Sequence, residues 1–243
     1  MRLADAIVAG LVQGPAELLP VSSSAHAGLL LRRWGVEGAE RKEAEVALHA
    51  GTAVALALLD RRRPRWGLLT AATAPPALAG LALERPIETR LGGPRSIAAG
   101  LLAGSVAMVL ADRTPVRRTA AGAVDGLWLG AAQAVALIPG VSRSAATRAG
   151  ARARGFARPD AAELSREVAL PVLVGAATLK GVRLAARRPD RATLAALGAG
   201  AAAAAVSTAA ALRLEQGGTV PPWVWAAYRT ALAVGIVCQD RGR

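Results

Sequence analysis

The sequence predicts an all-α polytopic membrane protein with about six transmembrane helices and two re-entrant helical hairpins. Three observations predict it: long stretches without one charged residue, arginines gathered in the connections between them, and a motif that recurs at a fixed offset. Trp66 to Leu83 runs 18 residues without a charge, Ser96 to Ala111 16, Gly126 to Ser142 17 and Ala192 to Leu212 21. Val46 to Leu59 and Val168 to Leu179 add shorter runs of 14 and 12. A bilayer-spanning helix needs about 20 mainly apolar residues, so charges near the ends of these runs are tolerated. A soluble amphipathic helix shows polar residues every three or four positions. These runs do not, and an alanine-rich soluble bundle could not bury six of them.

The net charge of +13 would suit a nucleic-acid partner if the charge formed a surface. It does not. The arginines cluster in short connections, Arg61-Arg62-Arg63-Pro64-Arg65, Arg113 to Arg118 and Arg183 to Arg191, with no aromatic residues interleaved. That pattern excludes nucleic acid and points to anionic membrane lipids. Lysine and arginine are divided almost evenly between the two sides, so they do not orient the chain. The single cysteine, Cys238, allows no intrachain disulfide. No cleavable leader is expected, because the first apolar run itself carries the polar motif.

Taken in order, residues 4–31 form an apolar segment broken by Pro15 and Pro20. Spans follow at 44–60, 66–83 and 95–111. A second broken apolar segment covers 122–154, interrupted at Pro139-Gly140. Spans at 161–180, 192–212 and 221–238 complete the chain.

The two broken segments match. Gly10-x-x-Gln13 leads to Val21-Ser22-Ser23-Ser24-Ala25, and Gly130-x-x-Gln133 leads to Val141-Ser142-Arg143-Ser144-Ala145, every pair 120 apart. The expectation is one integral membrane domain, 1–243, built from halves of about 1–120 and 121–243. Proline removes a backbone donor and breaks a helix. Backbone that leaves a helix at membrane depth must be buried in protein or line a wet cavity, so each break reads as a re-entrant hairpin. Three crossings per half invert the second half relative to the first, and the two hairpins are expected to meet near the middle, as in inverted-repeat transporters.

The first tip offers Glu17, Ser22, Ser23, Ser24 and His26; the second offers Ser142, Arg143, Ser144 and Thr147. Ionisable groups at membrane depth are costly and mark function. An arginine among hydroxyls at a helix start suits a phosphate, a nearby carboxylate suits a hard cation, and a histidine beside serine suits proton transfer. The sum is a site for a phosphate carried on a lipid. His49 reads as structural or pocket-lining, and Arg229 as paired with a lipid headgroup or a carboxylate.

GPAELLPVSSSAH (Gly14 to His26) and PGVSRSAAT (Pro139 to Thr147) resemble the two signatures of the bacterial undecaprenyl-diphosphate phosphatases of the bacitracin-resistance type. Ala44 to Gly51 and AELSREVALPVLVGA (Ala162 to Ala176) are similar to two further stretches of that family, in order along nearly the whole chain. The resemblance implies a multi-pass enzyme of the bacterial cell membrane, with its site facing the outer side. It would remove the terminal phosphate of undecaprenyl diphosphate and regenerate the monophosphate carrier for cell-wall synthesis. It implies a divalent cation, Mg²⁺ or Ca²⁺, with Glu17 and Gln13 as metal candidates. Glu17, Ser23, His26 and Arg143 are implied as catalytic, with Ser22, Ser24, Ser142, Arg143, Ser144 and Thr147 around the phosphate. The chain departs from the pattern at Gln13 (usually glutamate), Ala16 (threonine), Ala25 and Ala145 (glycines) and His49 (commonly glutamine). Arg148, Arg152 and Arg154 also stand in an arm that is mostly apolar in the family; they are expected to pair with Glu163 or Glu167 or to grip lipid phosphate.

Two other functions fit the same residues less closely: a carrier or flippase for a phosphorylated polyprenyl lipid, and a small-solute transporter. A homodimer is left open by the sequence.

Overall fold

A computed structural model describes residues 1–59, 63–214 and 220–241. Among them are ten helices: α1 Leu3–Leu18, α2 Ser23–Arg33, α3 Gly38–Leu59, α4 Trp66–Leu91, α5 Pro94–Ala111, α6 Ala123–Val135, α7 Arg143–Ala153, α8 Arg158–Ala186, α9 Arg191–Leu214 and α10 Pro222–Arg241. Six of these, α3, α4, α5, α8, α9 and α10, have 18 residues or more. Trp66–Leu83, Pro94–Ala111, Arg158–Ala186 and Arg191–Arg213 are long and apolar enough to cross a membrane. Large apolar side chains on these helices, among them Leu78, Leu81, Val106, Leu110, Val182 and Val206, point outward and are exposed. An outward apolar face is the arrangement lipid requires. The chain is an all-α polytopic membrane protein.

Two boundaries differ from the sequence reading for local reasons. Pro15 lies inside α1 rather than at the break, and the helix ends only at Leu18, before Pro20. Helix α4 continues past the charge-free run, through Pro86 to Leu91. Residue 60 of the first expected span and Arg61-Arg62 of the first arginine cluster lie outside the described residues.

The chain divides into two compact units that interleave the sequence halves. The first holds α1, α2, α3, α8 from Leu170 onward, and α9. Its core joins Ala9, Leu31, Val36, Ala44, Leu48, Leu197 and Ala204. Helix α1 packs along α9, and glycine makes the approach possible: a Cβ on Gly10 would stand 2.3 Å from Gly200 O, and one on Gly14 2.3 Å from Ser207 Oγ. Ser207 Oγ donates to Gly10 O at 2.9 Å, gluing the two backbones together.

The second unit holds Leu19–Ser22, α4 to α7, α8 up to Ala169, and α10. Here α6 packs along α4 as α1 packs along α9, again through small residues; a Cβ on Gly126 would lie 2.4 Å from Leu68 O. Helix α5 packs on α10 and α7. The core joins Leu68, Ala72, Leu129, Ala151, Phe156, Leu164 and Val168.

The residues before α2 and α7 share a rare backbone. Ser22 has φ 74° and Ser142 has φ 71°, positive values that non-glycine residues seldom adopt. They lie 120 apart in number. Gly140, at φ 90°, completes the second break, where a Cβ would meet Ile97 O at 2.0 Å.

Candidate active site

In the first unit the chemistry gathers on Glu17. Residues 13 and 17 lie one turn apart on α1, so Gln13 and Glu17 share a face. Both are buried, and a buried carboxylate needs partners. Ser23 opens α2 and its Oγ donates to Glu17 Oε2 at 2.5 Å, within the short range of a hydroxyl donating to a charged carboxylate. Gln13 Nε2 donates to the same oxygen at 3.0 Å. From α3, His49 Nε2 stands 3.4 Å from it. The other ring nitrogen, Nδ1, lies 2.7 Å from Glu45 O. The amide oxygen of Gln13 is buried with no hydrogen-bond partner.

In the second unit Ser142 caps α7, its Oγ accepting from Ala145 N at 3.4 Å. Ser142 and Ser144 hydroxyls are 3.2 Å apart, and Ser144 Oγ donates to Leu19 O at 2.8 Å. Arg143 Nη1 donates to Ser165 O at 3.1 Å. Thr147 Oγ1 donates to Arg143 O at 2.8 Å and meets Ser165 Oγ at 2.6 Å. Ser165 on α8 therefore holds both the arginine and the threonine of α7, one through its carbonyl and one through its hydroxyl.

Beneath this tip lies Arg229 of α10, fully buried. It pairs with no carboxylate among the described residues. Nη1 donates to Pro20 O at 3.1 Å, and Nη2 to Gly140 O at 3.0 Å, Val141 O at 2.9 Å and Leu101 O at 3.0 Å. Nε donates to Ser105 Oγ at 3.1 Å. Carbonyls that lack helical partners at two chain breaks thus receive their donors from one planar fork. The expected lipid or carboxylate partner is replaced by backbone, because the breaks leave carbonyls that only a buried donor can satisfy.

Two of the three arm arginines also differ from expectation. Arg152 bonds Asp112 Oδ1 at 3.1 Å and Thr114 O at 2.9 Å, and Arg154 bonds Asp125 Oδ1 at 3.0 Å. Asp112 is shared with Arg158 at 2.6 Å, and Asp125 with Arg118 at 2.8 Å. Glu167 is taken by Arg65. These aspartates cap or open neighbouring helices, so the arm reaches sideways to them rather than along α8.

Of the residues read from sequence, Gln13, Glu17 and Ser23 come together in the first unit, and Ser142, Arg143, Ser144 and Thr147 in the second. Ser22 is buried in the second unit, in the turn held by Ser144 and Arg229. Ser24 is exposed and His26 partly buried, both on α2. Sequence reasoning missed Ser165, and it read His49 as structural or pocket-lining without the contact to Glu17. With Thr52, His49 is one of two side chains in the run 46–59 that carry a polar group, and that isolation was the available signal.

Comparison with known proteins agrees over almost the whole chain. Residues 6–235 match the family described as Bacitracin resistance protein BacA. An undecaprenyl-diphosphatase of Geobacter sulfurreducens is 39% identical over an alignment covering 98% of this chain and 97% of the relative. One from Geobacter metallireducens is 35% identical with 98% of both covered. One from Moorella thermoacetica is 37% identical over 74% of this chain and 76% of its own.

Proposed function

Because the chain belongs to the BacA family of bacitracin resistance proteins, we propose that it is a membrane hydrolase removing the terminal phosphate of undecaprenyl diphosphate. The product is the undecaprenyl phosphate carrier of cell-wall synthesis. The observation that carries this reading is the short Ser23–Glu17 hydrogen bond in a buried site: a hydroxyl whose proton already points at a base is an activated nucleophile.

In this reading Glu17 takes the Ser23 proton as Oγ bonds to the terminal phosphorus and the bond to the bridging oxygen breaks. Undecaprenyl phosphate leaves, and water then hydrolyses the phosphoserine to release inorganic phosphate. His26, three residues after Ser23 on α2 and so on the same face, moves protons for the leaving group and the water. Arg143 and Ser142 grip the phosphate and offset charge that develops on it. Ser144 and Thr147, whose hydroxyl protons go to backbone carbonyls, keep that grip in shape, and Ser22 and Ser24 border the phosphate.

A divalent cation, Mg²⁺ or Ca²⁺, would supply charge neutralisation at the diphosphate oxygens. Glu17 and Gln13 would hold it, and they fit: one is a buried carboxylate, the other a buried amide oxygen with no hydrogen-bond partner. The enzyme lies in the bacterial cell membrane with the site opening to the outer side.

The test is phosphate release from undecaprenyl diphosphate by the purified protein in detergent, with Mg²⁺, with Ca²⁺ and with EDTA. Metal-dependent release that Glu17→Ala and Arg143→Ala both abolish supports the reading. No release from folded wild type refutes it and favours a lipid carrier.

A further inference from the structure

We propose that His49 is a ligand of the divalent cation, through Nε2, and that it turns the site toward ions that accept imidazole, of the Mn²⁺ or Zn²⁺ class. The inference rests on the hydrolase reading of the same site and goes on to the ligand set.

The ring's own contacts carry it. A carbonyl can only accept, so the 2.7 Å contact with Glu45 O places the proton on Nδ1. Nε2 then faces the carboxylate, 3.4 Å from Glu17 Oε2, and is free to bind a cation whenever the ring is neutral. The carboxylate calls for positive charge at that point, which a ring proton or a bound cation can supply. A metal-bound histidine has this arrangement: its second N–H donates to a backbone carbonyl or carboxylate, fixing tautomer and ring plane. Two ligands each about 2.1 Å from one cation at the tetrahedral angle lie about 3.4 Å apart.

The third donor is the oxygen of Gln13. Its amide nitrogen donates to Glu17 at 3.0 Å, which settles the orientation of the amide, and its oxygen is buried with no hydrogen-bond partner. Gln133, 120 residues on, also leaves its oxygen without one. The positions that match Glu17 and His49 there are Leu137 and Ala169. Those two positions of the second half hold no cation-binding side chain. A carboxylate, an imidazole and an amide oxygen suit borderline ions better than an all-oxygen shell does.

The test is Mn²⁺ titrated into the purified full chain in detergent and read by pulsed electron paramagnetic resonance. Wild type is expected to show ¹⁴N modulation from one directly bound imidazole. His49→Gln is expected to lose it and to bind Mn²⁺ at least about 10-fold more weakly, while His26→Gln keeps it. Should His49→Gln fail to fold, wild type labelled with ¹⁵N-histidine must replace the ¹⁴N signal by that of ¹⁵N. No bound Mn²⁺, no nitrogen coupling in wild type, or coupling that survives in His49→Gln overturns the assignment; in that case the ring is a proton carrier or an imidazolium paired with Glu17. Phosphate release measured on the same samples separates the two readings. Release without nitrogen coupling removes His49 and leaves the hydrolase, and coupling without release does the reverse.

Discussion

Replacing Arg229 by methionine tests whether one buried side chain holds both chain breaks. Methionine is apolar, of similar length and able to fill the space, so packing is largely kept. What disappears are the donors to Pro20 O, Gly140 O, Val141 O, Leu101 O and Ser105 Oγ. Leu101 O still receives the Ser105 hydroxyl. Pro20, Gly140 and Val141 lie outside helices, so their carbonyls have no ladder to fall back on. A buried acceptor left without a donor costs about 1–3 kcal/mol. Removing the guanidinium also relieves its own burial cost, so the lower end applies, about 3 kcal/mol for three carbonyls. For a chain of this size that is a fall of about 6–12 °C in melting temperature. The five tryptophans make intrinsic fluorescence in detergent a direct assay. Arg229→Lys keeps the charge but not the planar fork, and is expected to fall between wild type and Arg229→Met. A melting temperature for Arg229→Met within about 2 °C of wild type would mean that the carbonyls find other donors.

Three further outcomes follow from the same contacts. Gly14→Val places a side chain where even a Cβ would stand 2.3 Å from Ser207 Oγ and from Thr208 N; it should destabilise the α1–α9 pair by about 1–3 kcal/mol, seen as a lower melting temperature, while Gly175→Val, with nothing near its Cβ, should not. Asp112, just past the end of α5, has its carboxyl held below the ordinary carboxylate range by the bond from Arg158 and, after the opposing effect of burial, by Arg152. A depressed folded value means stability that is fully present above about pH 3.9 and lost as pH falls through the folded value; Asp112→Asn should be less stable at neutral pH and show a flatter acid limb in melts from pH 7 to pH 2. Thr147→Val removes the hydroxyl that joins Arg143 O to Ser165 Oγ, and is expected to lower kcat/KM about 10-fold, the equivalent of one hydrogen bond; an unchanged kcat/KM would remove Thr147 from the phosphate grip.

The apolar runs, the two breaks and the groups at them were legible because each is local. A run without charge has one solution in a bilayer, and proline and serine mark where a helix stops. What stayed hidden depends on which helices pack together. Nothing in residues 44–59 says that α3 will present His49 to Glu17, 32 positions earlier in the chain. Arg229 was visibly expensive, yet its partners are carbonyls, which every residue carries and no sequence pattern marks. Arg152 and Arg154 were read toward glutamates on the following helix, and the pairs form instead with Asp112, just past α5, and Asp125 on α6, because α7 ends beside them.

The recurrence at 120 residues separates what holds the fold from the groups proposed to do the chemistry. Positions that match keep the same structural task. Gly10 and Gly130 admit a neighbouring helix, and Ser22 and Ser142 take the same strained backbone before a helix. At positions 45 and 165 a backbone carbonyl on α3 or α8 holds a site residue: Glu45 O holds His49, and Ser165 O holds Arg143. Positions that differ carry the groups proposed for the reaction. Glu17 answers to Leu137, Ser23 to Arg143 and His49 to Ala169. In the proposed reaction the first set supplies the base and the hydroxyl, and the second a guanidinium with hydroxyls to steady it.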